Sequence, residues 1–119
     1  MKILPPTPET IEYAAEALMA GRLVAIPTET VYGLAANALD SDAIQKIYLA
    51  KGRPANNPLI VHLHQVDRVP LFAEVEPTGR WRKLAEAFWP GPLTIVLPKK
   101  PIIPDEVTAG LPSVAIRLP

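Results

Sequence analysis

The chain has 119 residues, 49% hydrophobic and 20% charged, with twelve basic and twelve acidic side chains and therefore no formal net charge. That length suits one domain with a core of its own, and zero net charge argues against a generic polyanion binder. The lack of cysteine excludes disulfides, thiolate chemistry and Cys-based metal sites.

The N-terminal MKILPPTPET does not read as a signal peptide, and no apolar run approaches the roughly 18 residues of a membrane span, so a soluble cytoplasmic protein without a membrane partner is expected. Thr7-Pro8-Glu9 reads as an N-cap, a first-turn proline and an acid at the positive end of a helix. Ile11, Ala14, Ala15 and Leu18 repeat at helical spacing, and Gly21 is the expected stop. Leu23 to Ile26 reads as a short buried strand, followed by a polar and aromatic loop, PTETVYGLAANA. A second helix is predicted from Asp40 or Ser41 to Lys51-Gly52, with Ile44, Ile47 and Tyr48 facing the core. Leu59 to Leu63 is the next strand, and the stretch through Pro70 and Pro77 has no clear pattern. A third helix is predicted from Thr78, burying Trp81, Leu84, Ala85 and Phe88 and ending at Pro90. Leu93 to Leu97 is a strand, residues 98–112 a proline-rich loop, and Val114 to Leu118 a last strand, which the chain's end would leave with an unsatisfied edge or face. Helices alternating with short apolar strands indicate an α/β fold, and the fifteen dispersed prolines indicate rigid connections rather than a low-complexity tail.

Three stretches carry groups able to do chemistry. In the first, Thr28 and Thr30 offer hydroxyls to a polar ligand and Gly33 permits close backbone approach; helix capping and loop packing account for the same residues structurally. In the second, Lys51-Gly52-Arg53-Pro54-Ala55-Asn56-Asn57-Pro58, two cations flank a glycine in a proline-stiffened loop, a point charge and a planar fork suited to polyphosphate. No Walker pattern is present, and capping by Lys51 with an Arg53 surface pair is the structural alternative. No acidic residue occurs between Asp42 and Asp67, whereas Lys46, Lys51, Arg53, His62 and His64 do, which predicts a locally positive field. Strand alternation places His62 and His64 on one face, but no clustered carboxylate supports a metal site. In the third, SVAIRL, Ser113 and Arg117 share a face opposite Val114 and Ile116. An arginine in an apolar strand needs an anion, either a ligand or an internal partner such as Glu29. Trp89 of WPGPLT reads as an anchor of that turn to the core, and no acid–base pair or Ser-His-Asp pattern is apparent.

Taken in order, PTETVYGLAANA, KGRPANNPLIVHL, WPGPLT, VTAG and VAIRLP resemble the threonylcarbamoyl-AMP synthase family of YrdC-like domains, over roughly residues 10–119. The resemblance implies a twisted mixed sheet flanked by helices with an open, positively charged cleft. It also implies formation of threonylcarbamoyl-AMP and pyrophosphate from L-threonine, bicarbonate and ATP, for the N6-threonylcarbamoyl group of tRNA adenosine 37. Carried over by motif, Thr28, Thr30, His62 and Arg117 would bind L-threonine, and Lys51, Arg53, Asn57 and Ser113 would bind ATP. No catalytic nucleophile is implied, and Mg²⁺ would accompany ATP on its phosphates. Implied partners are the tRNA threonylcarbamoyl-transfer machinery and, through the basic cleft, tRNA or double-stranded RNA. The family domain continues through a Ser-Ala-Asn block that completes the nucleotide pocket, so residues 1–119 are expected to be an incomplete YrdC-like domain. Two other readings of the same fold are an RNA-binding module and a paralogue acting on another carbamoyl-type substrate.

Overall fold

The computed structural model describes residues 2–119. Helix α1 spans Pro8–Met19, with the Thr7 hydroxyl accepting from the Thr10 amide at 3.2 Å. It closes where the Gly21 and Arg22 amides reach back to Leu18 and Ala17, a pattern that the left-handed φ of +82° at Gly21 makes possible. Helix α2, Ser41–Lys51, starts on the Asp40 carboxylate and ends the same way: Gly52 is left-handed, and the Arg53 amide donates to Tyr48 O. Both were legible from capping residues. Their apolar faces differ, however. α2 buries Ile44, Ile47 and Tyr48 as expected, whereas α1 leaves Ile11 exposed and buries only Ala17.

Strands β1 (Val24–Ile26) and β2 (Gly33–Ala35) form an antiparallel hairpin. β2 falls within the stretch expected to be loop, because Gly33 and Ala35 around a single Leu34 give little strand signal. Residues 27–32 are therefore the tip of a hairpin. Strand β3 (Ile60–His62) pairs in parallel with β5 (Ser113–Arg117), and β4 (Ile95–Pro98) pairs antiparallel on its other side. The last strand is thus the centre of a mixed sheet, and the expected open edge belongs instead to its neighbours. Between β3 and β4 lie a 3-10 turn (Val66–Arg68), the helical turn α3 (Val69–Phe72) and helix α4 (Arg80–Phe88). A further turn, α5 (Asp105–Thr108), interrupts the predicted 98–112 loop. α4 begins two residues later than predicted and buries Trp81 and Ala85 but leaves Leu84 and Phe88 exposed.

One face of the three-stranded sheet makes the core. Val61, Ile116 and Ile95 are in register across β3, β5 and β4, and Val114 follows beside Leu97. Ile44, Tyr48, Val69, Trp81, Ala85, Trp89, Ile103 and Val107 cover them. The Tyr48 hydroxyl donates to Glu106 O at 2.8 Å and Asn57 O at 3.2 Å, so it ties α2 to α5 and to the loop that precedes β3. Burial raises the Tyr48 pKa, opposed by the Arg53 charge. No helix among the described residues is long and apolar enough to cross a membrane.

Candidate functional site

Because side chains alternate across a strand, the residues that bury Val61 and Ile116 turn His62 and Arg117 to the opposite face. His62 and Arg117 are register partners across β3 and β5. The β4–β5 register pairs Ile95 with Ile116, so Thr94, one residue ahead of β4, falls opposite Arg117. A row of imidazole, guanidinium and hydroxyl therefore crosses three strands. The WPGPLT turn sets Thr94 in place: Trp89 is buried with its indole N–H on Leu93 O at 2.8 Å, and the Gly91 amide donates to Leu118 O at 2.9 Å. Trp89 is the expected turn anchor.

Arg117 is held from two sides. Its Nε and Nη2 donate to Thr94 Oγ1 at 3.1 and 2.8 Å, and its Nη1 reaches Glu29 Oε1 at 3.4 Å. Glu29 comes from the hairpin tip, and its side chain and that of Arg117 are only 20% and 18% exposed. The internal anion partner considered from the sequence is therefore present. In the same tip Thr28 Oγ1 donates to Val31 O at 2.5 Å, lies 3.2 Å from Thr30 Oγ1 and accepts from the Thr30 amide, which fixes a tight hydroxyl-rich turn.

Between the hairpin and the sheet lies a cleft of about 440 Å³. Thr28, Thr30, Gly33, Lys51, Arg53, His62 and Arg117 line it, with apolar walls from Ile26, Leu34, Ile44 and Leu59. His62 is exposed, yet its pKa is held below the usual imidazole value. Loss of water on its cleft side is the main cause, the Arg117 charge adds to it, and Glu29 opposes both. His62 is accordingly favoured as the neutral imidazole.

At the other end of the cleft Lys51 sits exposed at the C-terminus of α2. Arg53 does not seek a surface acid. It donates from Nε to Asn57 O at 3.1 Å and from Nη2 to Pro58 O at 2.6 Å, bracing its own loop. Six of the eight expected binding residues therefore gather in one cleft. The other two, Asn57 and Ser113, are not in its lining: Asn57 contributes its backbone carbonyl to the brace, and Ser113 lies at the far end of β5, roughly 13 Å along the strand from Arg117.

The predicted positive stretch is only partly realised in the cleft. Lys46 Nζ is turned to Gly21 O at 2.9 Å, where it closes the end of α1, and His64 lies beyond β3 and outside the lining. Within the strand it is Ile60 that shares the face of His62. Among the described residues no three His, Asp or Glu side chains gather as metal ligands. Thr94, which holds Arg117, was not among the residues expected from the sequence. Its place opposite Arg117 depends on the β4–β5 register.

A family model for Sua5/YciO/YrdC domains, described as telomere recombination, matches residues 16–119. The chain belongs to this family. A threonylcarbamoyl-AMP synthase of Pyrococcus abyssi is 51% identical over 109 residues, covering 92% of this chain and 32% of the relative. One from Bacillus subtilis is 50% identical over 110 residues, with coverage of 92% and 32%. The chain thus spans about a third of the length of these relatives. Among solved structures, P. abyssi Sua5 complexed with L-threonine superposes with a TM-score of 0.89 at 50% identity, covering 93% of this chain and 32% of that one. Full-length HypF in a phosphate- and nucleotide-bound form superposes at 0.75 with 27% identity, covering 96% of this chain and 17% of that one. The mixed α/β sheet flanked by helices is that of the Sua5 structures.

Proposed function

We propose that this chain forms the substrate cleft of an L-threonylcarbamoyladenylate synthase, which makes threonylcarbamoyl-AMP and pyrophosphate from L-threonine, bicarbonate and ATP for the modification of tRNA adenosine 37. The observation that carries this reading is that His62 and Arg117, the latter held by Thr94, line one open cleft together with the Thr28/Thr30 turn. The relatives that are threonylcarbamoyl-AMP synthases, and the L-threonine complex of P. abyssi Sua5, support L-threonine as the substrate.

Arg117 takes the threonine carboxylate, because its guanidinium is partly desolvated, oriented by Thr94 and open toward the cleft. A neutral His62 beside it accepts a hydrogen bond from the threonine nitrogen without adding a second positive charge. Thr28 and Thr30 hydroxyls meet the polar side chain of the substrate. Carbamate formation joins the amine nitrogen to the bicarbonate carbon and releases water and a proton. A carbamate oxygen then attacks the α-phosphorus of ATP, and the α–β bridging oxygen leaves with pyrophosphate. Both steps depend on alignment and on neutralising anionic charge rather than on a protein nucleophile.

Lys51 and Arg53, at the opposite end of the cleft, are assigned to the phosphates. Arg53 can serve there because its brace on Asn57 O and Pro58 O fixes its direction. Asn57 and Ser113, outside the cleft lining, are assigned to more distant parts of the nucleotide. Among the described residues no three His, Asp or Glu side chains gather to hold a cation; Mg²⁺ would accompany the ATP phosphates and offset their charge. The product then passes to the tRNA threonylcarbamoyl-transfer machinery.

The test is pyrophosphate release from ATP, assayed with and without L-threonine and with and without bicarbonate. Release that requires both supports the synthase. Threonine-independent release favours a paralogue with another carbamoyl substrate. RNA affinity with a steep salt dependence and no response to threonine or ATP favours an RNA-binding module.

A further inference from the structure

Glu29 stands behind the cleft lining, between Thr28 and Thr30 and in contact with Arg117, and the mechanism above leaves it without a task. Its contact is unlike a structural ion pair. A charge-assisted N–H···O bond is typically about 2.7–2.9 Å, whereas Arg117 Nη1 stands 3.4 Å from Glu29 Oε1. Thr94, by contrast, takes two N–H groups of the same guanidinium at 3.1 and 2.8 Å. Arginine has five N–H donors, so the guanidinium is fixed by Thr94 yet keeps donors for another anion. Glu29 has no other hydrogen-bond partner among the described residues, and its side chain is mostly shielded from solvent. Its neighbours at the hairpin tip, Thr28 and Thr30, bond to each other, and Thr28 donates to the Val31 carbonyl. The other titratable group beside Glu29 and Arg117 in this corner is His62, one strand away from Arg117 and favoured as the neutral imidazole.

A cation and an anion set side by side and loosely joined are complementary to a zwitterion of opposite order. In an α-amino acid the ammonium nitrogen and the carboxylate carbon are about 2.5 Å apart, from standard bond lengths. We infer that Glu29 is the specificity-determining residue for the α-ammonium: on binding, the Arg117–Glu29 contact is exchanged for Arg117 with the carboxylate and Glu29 with the ammonium. The exchange conserves charge in a partly desolvated corner, where a carboxylate alone would meet Glu29 as a like charge. It selects an α-amino acid over its α-hydroxy counterpart. The inference rests on the threonine reading of the cleft and goes beyond it in giving a task to Glu29.

The experiment is calorimetric titration of the wild-type chain, Glu29→Gln and Glu29→Asp. The ligands are L-threonine, the 2,3-dihydroxy acid in which a hydroxyl replaces its amino group, and a panel of small L-amino acids. Loss of one charge-assisted hydrogen bond corresponds to roughly a 10- to 100-fold change in affinity. The wild type is expected to prefer threonine to the dihydroxy acid by that factor. Glu29→Gln should lose the preference while binding the dihydroxy acid as tightly as the wild type or more so, and Glu29→Asp should keep part of it. Equal affinity of the wild type for both ligands overturns the inference, and needs no folded variant to be decisive. So does a Glu29→Gln chain that keeps the preference, or one that loses both ligands equally. Binding of a different L-amino acid with a Glu29-dependent preference overturns the threonine assignment and leaves the inference standing. Binding of no L-amino acid overturns both.

Discussion

Thr94→Val isolates the link between the WPGPLT turn and the arginine. The substitution keeps the branched shape and removes the one oxygen that accepts from both Nε and Nη2 of Arg117. A hydrogen bond to a charged group is worth about 1.5–3 kcal/mol. Here two donors share a single acceptor, and a side chain 18% exposed can recover part of the loss through water. A stability loss of about 1–2 kcal/mol follows, which for a domain of this size lowers Tm by roughly 4 °C per kcal/mol. The effect on binding should be larger in consequence, because an untethered guanidinium must be ordered by the ligand itself. L-threonine affinity is expected to fall about tenfold or more. Thr94→Ser, which keeps the oxygen, should stay near wild type in both measurements. Thermal unfolding and threonine titration on the same preparations provide the two readouts. A Thr94→Val chain that binds threonine within about twofold of wild type would refute the claim that Thr94 orients Arg117.

Three further outcomes follow from the same contacts. Tyr48→Phe removes the donor that serves Glu106 O and Asn57 O and should cost about 1–3 kcal/mol in urea unfolding; an unchanged midpoint would show that these carbonyls are satisfied otherwise. Arg53→Lys keeps the charge but cannot brace Asn57 O and Pro58 O together. ATP affinity should therefore fall by an order of magnitude rather than be preserved, as a titration with Mg-ATP would reveal. His62 has a pKa below its unfolded value of about 6.5, so the unfolded chain takes up a proton that the folded chain resists. Its contribution is fully present above that value and is lost as pH falls through it, until the lower folded pKa is passed. Urea midpoints measured from about pH 5 to 8 should show this slope in the wild type and a flatter curve in His62→Gln; identical slopes would contradict it.

Capping chemistry made α1 and α2 legible, since Thr7, Asp40, Gly21 and Gly52 act locally and need no partner. Strand positions were also readable within a residue or so, because LIVHL and SVAIRL carry compact apolar runs. What the residues could not reveal was pairing. The central place of β5 depends on β3, fifty residues earlier, and on β4, and no local signal encodes that order. The same limit explains β2, whose Gly33, Leu34 and Ala35 extend only because Val24 to Ile26 offer them hydrogen bonds. Helical spacing misjudged burial in α1 and α4, as Ile11 and Phe88 are 62% and 59% exposed despite sitting on apolar stripes. In the site, residue type pointed to Arg117 and the Thr28/Thr30 turn. Thr94 escaped because a lone threonine after a proline turn says nothing until the sheet register sets it opposite an arginine.

The central claim is that one cleft takes an amino acid at the Arg117 end and a nucleotide at the Lys51–Arg53 end. Backbone amide chemical shifts, followed by NMR as L-threonine and then Mg-ATP are added, test it most directly. Threonine should move residues 28–30, His62, Thr94 and Arg117, and Mg-ATP should then move residues 51–58. Shifts from either ligand that avoid these residues, or no response to threonine at all, would contradict the account.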